Sequence, residues 1–286
     1  MATGGYASVA ERVRAGLEPM PAAERRVARA LLAHYPSAGL ESASRLAERA
    51  GASTPTVVRF AARLGYRGYR ELQHALLEEV EVRTAPPMEL PARPEADPSG
   101  GLRALGLRVA NRALHQTFGA LPEADLASLV ELLGDPRRRV TSVGGRLSHV
   151  LAEYLDLHLR VMRPDTRSLH LGPDTVPAFL VDTGRRDVVV VFDFRRYQRD
   201  VVELARGAHR RGASVVLVTD PWLSPAADVA DLVLSVRVEG ASPFDSLVPA
   251  FAVVEIVIAG VLARLGTAAQ RRLSEAEEAS GDVTLA

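Results

Sequence analysis

The sequence contains no cysteine and no lysine; all 35 of its basic residues are arginine. Without cysteine there are no disulfides, no thiolate nucleophile and no thiolate-held metal. Without lysine there is no Schiff-base chemistry and no P-loop lysine. Formal net charge is zero, so nothing global points to nucleic acid or to an acidic membrane. The nucleophile elbow G-x-S-x-G, the zinc motif H-E-x-x-H and the dinucleotide motif G-x-G-x-x-G are all missing. The seven histidines are dispersed, with no pair at metal-ligand spacing, so His149 and His170 read as satisfied polar residues. No metal, cofactor or catalytic residue is therefore expected, and Glu239 is the carboxylate to watch as a general base. The N-terminus shows no charged start followed by an apolar run, which predicts a cytoplasmic protein without a signal peptide. Leu247 to Leu265 is apolar and about as long as a membrane span, but Pro249 and Glu255 interrupt it. It reads as a buried core or dimer helix, and no membrane partner is expected.

What is present is 286 residues, 47% of them hydrophobic, enough for two domains with their own cores. The stretch from Ser42 to Gly65 predicts two short helices. The first covers about Ser44 to Ala50, with Ser42 or Ser44 as its cap; Gly51-Ala52-Ser53 makes the turn. The second is capped by Ser53 or Thr54, carries Pro55 in its first turn and stops at Gly65. At 100° per residue, Val57, Phe60, Ala61 and Leu64 share one face, and Pro55, Thr56, Arg59, Ala62 and Arg63 the other. From Glu24 to Arg70 there are nine arginines and three glutamates, a local excess of six positive charges on a neutral chain. A basic helix pair of this kind is either a helical hairpin with a solvated face or a helix-turn-helix whose second helix enters the DNA major groove; the local charge favours DNA. The DNA-facing set is then Ser53, Thr54, Thr56, Arg59, Arg63 and Arg67.

Five helices are expected in the first 82 residues. Residues 83–101 hold five prolines and two glycines and read as a linker. Beyond it, helices over Leu102–Phe118 and Glu123–Leu133 precede an alternation of strands and helices. Strands are expected at Arg139–Val143, Ser168–Leu171, Asp187–Phe192, Ala213–Thr219 and Leu232–Val236. Helices are expected at Leu147–Leu159, Gln198–Arg211 and Ser246–Leu265. D-V-V-V-V-F and A-S-V-V-L-V-T lack polar alternation, as a parallel sheet covered on both faces requires. This predicts a doubly wound α/β domain over 102–267 and a polar, frayed tail over 268–286. Ligands of open parallel sheets bind at strand carboxyl ends. Two stand out. Gly144, Gly145, Arg146 and Ser148 precede a helix N-terminus, and Asp193, Arg195, Arg196 and Gln198 precede another. Both favour a small anion. The bland alternatives are a tight glycine turn and a salt-bridge set with Asp193 and Asp200.

The runs A-E-R-R-V-A-R-A-L-L and S-R-L-A-E-R-A-G-A-S-T-P-T-V-V-R-F-A-A-R-L-G-Y-R-G-Y-R-E-L resemble the N-terminal domain of RpiR-type bacterial transcription regulators. The C-terminal part is similar to the SIS (sugar isomerase) domain of those regulators. Together the resemblance spans about residues 10–265. It implies a cytoplasmic homodimer or homotetramer that binds double-stranded operator DNA and responds to a metabolite, often a sugar phosphate. The sequence departs from the SIS pattern at the phosphate cradle. Asp193, Arg195, Arg196 and Gln198 stand where two serines, a glycine and a threonine are usual, and Arg146 replaces the second glycine of G-x-G-x-S. Arginine can instead hold an anion bidentately. Two rivals to a regulator with a sensing domain remain: a sugar-phosphate isomerase, and a constitutive DNA binder whose α/β domain only oligomerises.

Overall fold

A computed structural model describes residues 8–84, 88 and 100–282. Contacts divide the chain into two compact units, Met1–Leu90 with Pro221–Asp228, and Pro91–Asp220 with Val229–Ala286. Most of the expected linker, 85–87 and 89–99, lies outside the described residues.

The first unit is helical: α1 (Val9–Ala15), α2 (Ala22–Ala33), α3 (Ser37–Leu40), α4 (Ala43–Arg49), α5 (Thr54–Arg63) and α6 (Tyr69–Thr84). Ser8 caps α1 in a capping box with Glu11, and the Ser42 hydroxyl accepts the Arg45 N–H to cap α4. Gly51 turns the chain between α4 and α5 with φ of 57°, a left-handed value that glycine adopts without a Cβ clash. Val27, Leu31, Leu46, Val57, Phe60, Leu72 and Leu76 are fully buried and form the core. α3 is not expected from the sequence; at four residues it is too short to show a helical period. Tyr69 of α6 donates its hydroxyl to Gly39 O (2.9 Å) and Glu41 O (3.0 Å), which fixes α3 and the start of α4 against α6. Burial, then the nearby Glu41 charge, pushes the Tyr69 pKa up to about 12.

The second unit is α/β. After α7 (Gly101–Ala120) and α8 (Glu123–Gly134) come β1 (Arg139–Gly144), α9 (His149–Met162), β2 (Thr166–Ser168), α10 (Thr175–Asp182) and β3 (Asp187–Phe192). α11 (Arg199–Arg210), β4 (Ser214–Thr219), β5 (Leu232–Ser235), α12 (Val248–Leu265) and α13 (Thr267–Asp282) follow. The strands form one sheet, ordered β2-β1-β3-β4-β5 and parallel throughout, with Gly144 opposite Phe192 and Ser142 opposite Ser168. β3 is buried along its whole length, as its unbroken valines require; the edge strands β2 and β5 are half-exposed. From β1 the chain steps one way to β2 and then back past β1 to β3. Right-handed crossovers therefore place α9 on one face and α10 and α11 on the other. α9 packs with α12 and α13, and α10 with α11. The doubly wound sheet expected from the sequence is thus present, with its topological switch between β1 and β3.

Further expectations change. The strand expected at Ser168–Leu171 lies earlier, as β2 over Thr166–Ser168. The tail expected to fray is helical to Asp282: Ala269 is fully buried and the Arg272 guanidinium donates to Arg160 O (3.0 Å). Its composition, rich in Ala, Gln, Arg, Leu and Glu, suits a helix. α10 is not expected from the sequence, because eight residues opening with T-V-P give little period to read. α12 is long and apolar enough to cross a membrane by composition, yet it packs against α7, α8 and α9, with Val253, Val254, Val257 and Val261 buried.

Arg163, just past α9, is 1% exposed. Its guanidinium donates to the carbonyls of Leu133, Asp135 (2.9 Å) and Arg138. It ties the end of α8 to the approach to β1, and burial lowers its pKa.

Candidate functional site

On α5, Ser53, Thr54, Pro55, Val58, Arg59, Ala62 and Arg63 are exposed, and Val57, Phe60 and Ala61 are buried. The helical-wheel split holds except at Thr56, which is 5% exposed rather than on the open face. It lies at the boundary of the arc, one step past Arg63. Its hydroxyl meets Ser53 Oγ at 2.8 Å and accepts from the Arg59 guanidinium at 3.2 Å. Thr56 therefore braces the N-terminal turn of α5 instead of forming part of its open face. Val58, to which the sequence reading gives no face, is 43% exposed and lies on the open arc. Arg63 is half committed: its Nε donates to the buried carboxylate of Glu24 on α2 at 2.5 Å. Arg67 is exposed, and its backbone N–H donates to the Glu71 carboxylate on α6. Arg26 holds the turn by donating to Gly51 O (3.1 Å).

In the α/β unit the two strand ends converge at the switch between β1 and β3. Ser148 joins them: its hydroxyl accepts the Gly145 N–H (2.9 Å) and donates to Phe192 O (2.7 Å). Close approach to backbone requires the glycine at 144, whereas the neighbour of Gly145 is a flexible side-chain end. A Cβ on Gly144 would come within 2.6 Å of the Ser148 backbone, and one on Gly145 within 2.5 Å of the Gln198 amide. Gln198 thus lies against the glycine loop, and its backbone N–H points to the buried Asp193 carboxylate at 3.3 Å.

The arginines part company. Arg195 is buried: its Nε donates to Asp245 at 2.6 Å and its backbone N–H to Asp220, whose other oxygen accepts from Tyr197 OH at 2.7 Å. Arg196 has φ of 64° and is exposed, as is Arg146. The structure therefore brings together Gly144, Gly145, Ser148, Asp193 and Gln198. It pairs Arg195 with Asp245, a partner the sequence did not suggest, and leaves Arg146 and Arg196 at the surface. Asp220, Asp245 and Tyr197 were missed. Asp220 could have been found, because it ends β4 as Asp193 ends β3; Asp245 sits in a loop with no such marker. Glu239 lies beside Arg237, 3.7 Å from its guanidinium.

The two histidines read as unrelated polar residues meet through Glu153. Glu153 Oε1 is 3.1 Å from His149 Nε2 and 3.4 Å from His170 Nε2. The helical spacing H149-V-L-A-E153 is visible in the sequence; the approach of His170 needs the pairing of β1 with β2.

Comparison with known families matches two domains on this chain. The "Helix-turn-helix domain, rpiR family" covers residues 7–82, and the "SIS domain" covers residues 134–260. The chain is an RpiR-type protein. The sugar isomerase domain of an RpiR transcription factor from Sphaerobacter thermophilus is 28% identical, with a TM-score of 0.59, over 62% of this chain and 98% of that one. The Vibrio vulnificus NanR protein complexed with ManNAc-6P shares the fold at 19% identity and a TM-score of 0.55. That match covers 97% of this chain and 99% of the other. In the RpiR-type chain, the rpiR-family match contains α1 to α5 and α6 up to residue 82, and the SIS match contains the whole parallel sheet.

Proposed function

We propose that this RpiR-type chain is a cytoplasmic transcription regulator. In this reading residues 1–82 bind double-stranded operator DNA, and residues 102–267 sense a small anionic metabolite of the sugar-phosphate class and hold a homodimer or homotetramer together. The observation that carries the first half is the exposed arc of α5. Ser53 and Thr54 stand at its N-terminus, Arg59 follows on the same arc, and the opposite face is sealed by Val57, Phe60 and Ala61. Such a helix enters the major groove N-terminus first, with side chains of its first turns at base edges. The exposed Arg67 is suited to a phosphate contact, which positions without specifying.

Support for the second half is the crevice at the β1–β3 switch, where parallel sheets bind ligands. An arriving anion would recruit Arg195 from Asp245, so that the charge-assisted bond now internal to the protein is exchanged for one to the ligand. That exchange would free the loop carrying Asp245 and gives the two states that effector control needs. We read the unit as a sensor rather than an isomerase, because the carboxylates Asp220 and Asp245 at the crevice are engaged with the Arg195 segment. One observation favours a purely oligomerising α/β unit: Ser148 already accepts the Gly145 N–H, and the Gln198 side chain occupies the space beside Gly145.

Selection of binding sites from a random duplex library, followed by affinity measurement on the selected site, tests the DNA assignment. Arg59→Ala is expected to lose about 1–3 kcal/mol of specific binding if it reads a base edge. Unchanged affinity in a folded variant removes Arg59 from the interface.

A further inference from the structure

We propose that His149, Glu153 and His170 form a binding site for one divalent transition-metal cation, with zinc the best chemical fit. His149 opens α9, Glu153 lies one turn along the same helix, and His170 follows β2, whose pairing Ser142↔Ser168 sets it beside β1. Their ligating atoms all lie within 4.8 Å of one another, and Glu153 Oε1 bridges the two imidazoles at 3.1 and 3.4 Å. Nitrogen and oxygen ligands about 2.0–2.2 Å from a tetrahedral zinc are roughly 3.3 Å apart, so the carboxylate edges are already at bonding separation.

The second observation is at His149. Its side chain is only 19% exposed, and its Nε2 is buried without a hydrogen bond, even though the Glu153 oxygen is 3.1 Å away. Close approach without hydrogen-bond alignment leaves the His149 ring nitrogen unsatisfied by Glu153. A buried ring nitrogen needs a partner, and a cation between the three side chains would supply one. Two imidazoles and a carboxylate suit zinc and its neighbours in the first transition row, whereas magnesium and calcium prefer all-oxygen shells. Three protein ligands leave a fourth position for water or an anion. The site borders the crevice through Ser148 but does not depend on whether the crevice binds an effector.

The test is calorimetric titration of zinc chloride into full-length, chelator-stripped protein without an affinity tag, with cobalt absorption as a second readout. The expected result is one equivalent of zinc per chain and visible cobalt bands of a four- or five-coordinate site. His170→Ala and Glu153→Gln should each weaken zinc more than about tenfold, the loss that even an outer-shell partner brings. His170 is 70% exposed, so its removal leaves the fold intact, which circular dichroism would verify. His74→Ala, in the exposed His74–Glu78 pair, is the control and should change nothing. Absence of zinc binding at micromolar concentrations would overturn the proposal, as would full affinity in both the His170 and Glu153 variants.

Discussion

Arg163 shows how a single side chain can carry a junction. Its guanidinium satisfies three carbonyls from the α8–β1 segment and donates a further bond to Pro164 O (3.1 Å). Replacing it with methionine keeps much of the packing volume and strands those acceptors in a buried place. The cost should be about 3 kcal/mol or more, read from chemical denaturation; a loss under about 1 kcal/mol would show that water takes over the carbonyls. Nothing in V-M-R-P-D marks this arginine, because its partners are backbone atoms about thirty residues earlier. The same limit hid Asp245, the partner of Arg195. Asp193 and Ser148 were legible because they end a strand or open a helix, where chemistry concentrates.

Among elements, the helix-turn-helix was the most legible, since the Ser42 cap, a glycine turn and an apolar stripe agree over Ser42 to Gly65, although the Ser53 hydroxyl meets Thr56 Oγ1 and does not cap α5. The disagreement at Thr56 arises from side-chain chemistry that a wheel cannot hold: a hydroxyl at the arc's edge turns inward when Ser53 and Arg59 offer it partners. The α3–α6 contact offers a pH test. Tyr69 has its pKa raised to about 12, so the stability it contributes is complete below about pH 10, its ordinary value, and is lost as pH rises towards 12. Thermal melts of the full chain between pH 9 and 12 should show this decline. Tyr69→Phe should flatten it and, at neutral pH, cost about 1 kcal/mol for the lost bonds to Gly39 and Glu41. An unaltered alkaline decline in the variant would assign it to other groups. The parallel sheet was legible from its unbroken valines, but α10 and the helical character of the last residues were not. One is too short, and the other is polar and shows its role only through the contacts of α13 with α9.

For the whole molecule, the claim is that an RpiR-type DNA-binding unit and an anion-sensing α/β unit act as one thermodynamic system. Coupling of this kind is reciprocal: an effector that changes DNA affinity must have its own affinity changed by DNA to the same factor. The most direct measurement is fluorescence anisotropy of the full-length chain on a selected operator duplex at fixed salt, with and without a panel of hexose and amino-sugar phosphates. The account predicts that at least one phosphosugar shifts the operator dissociation constant by about fivefold or more, the lower end of ordinary allosteric coupling. It also predicts that Arg195→Gln abolishes the shift while operator binding itself persists. If the panel leaves operator affinity unchanged, or the shift survives in Arg195→Gln, the crevice between β1 and β3 is not the sensor.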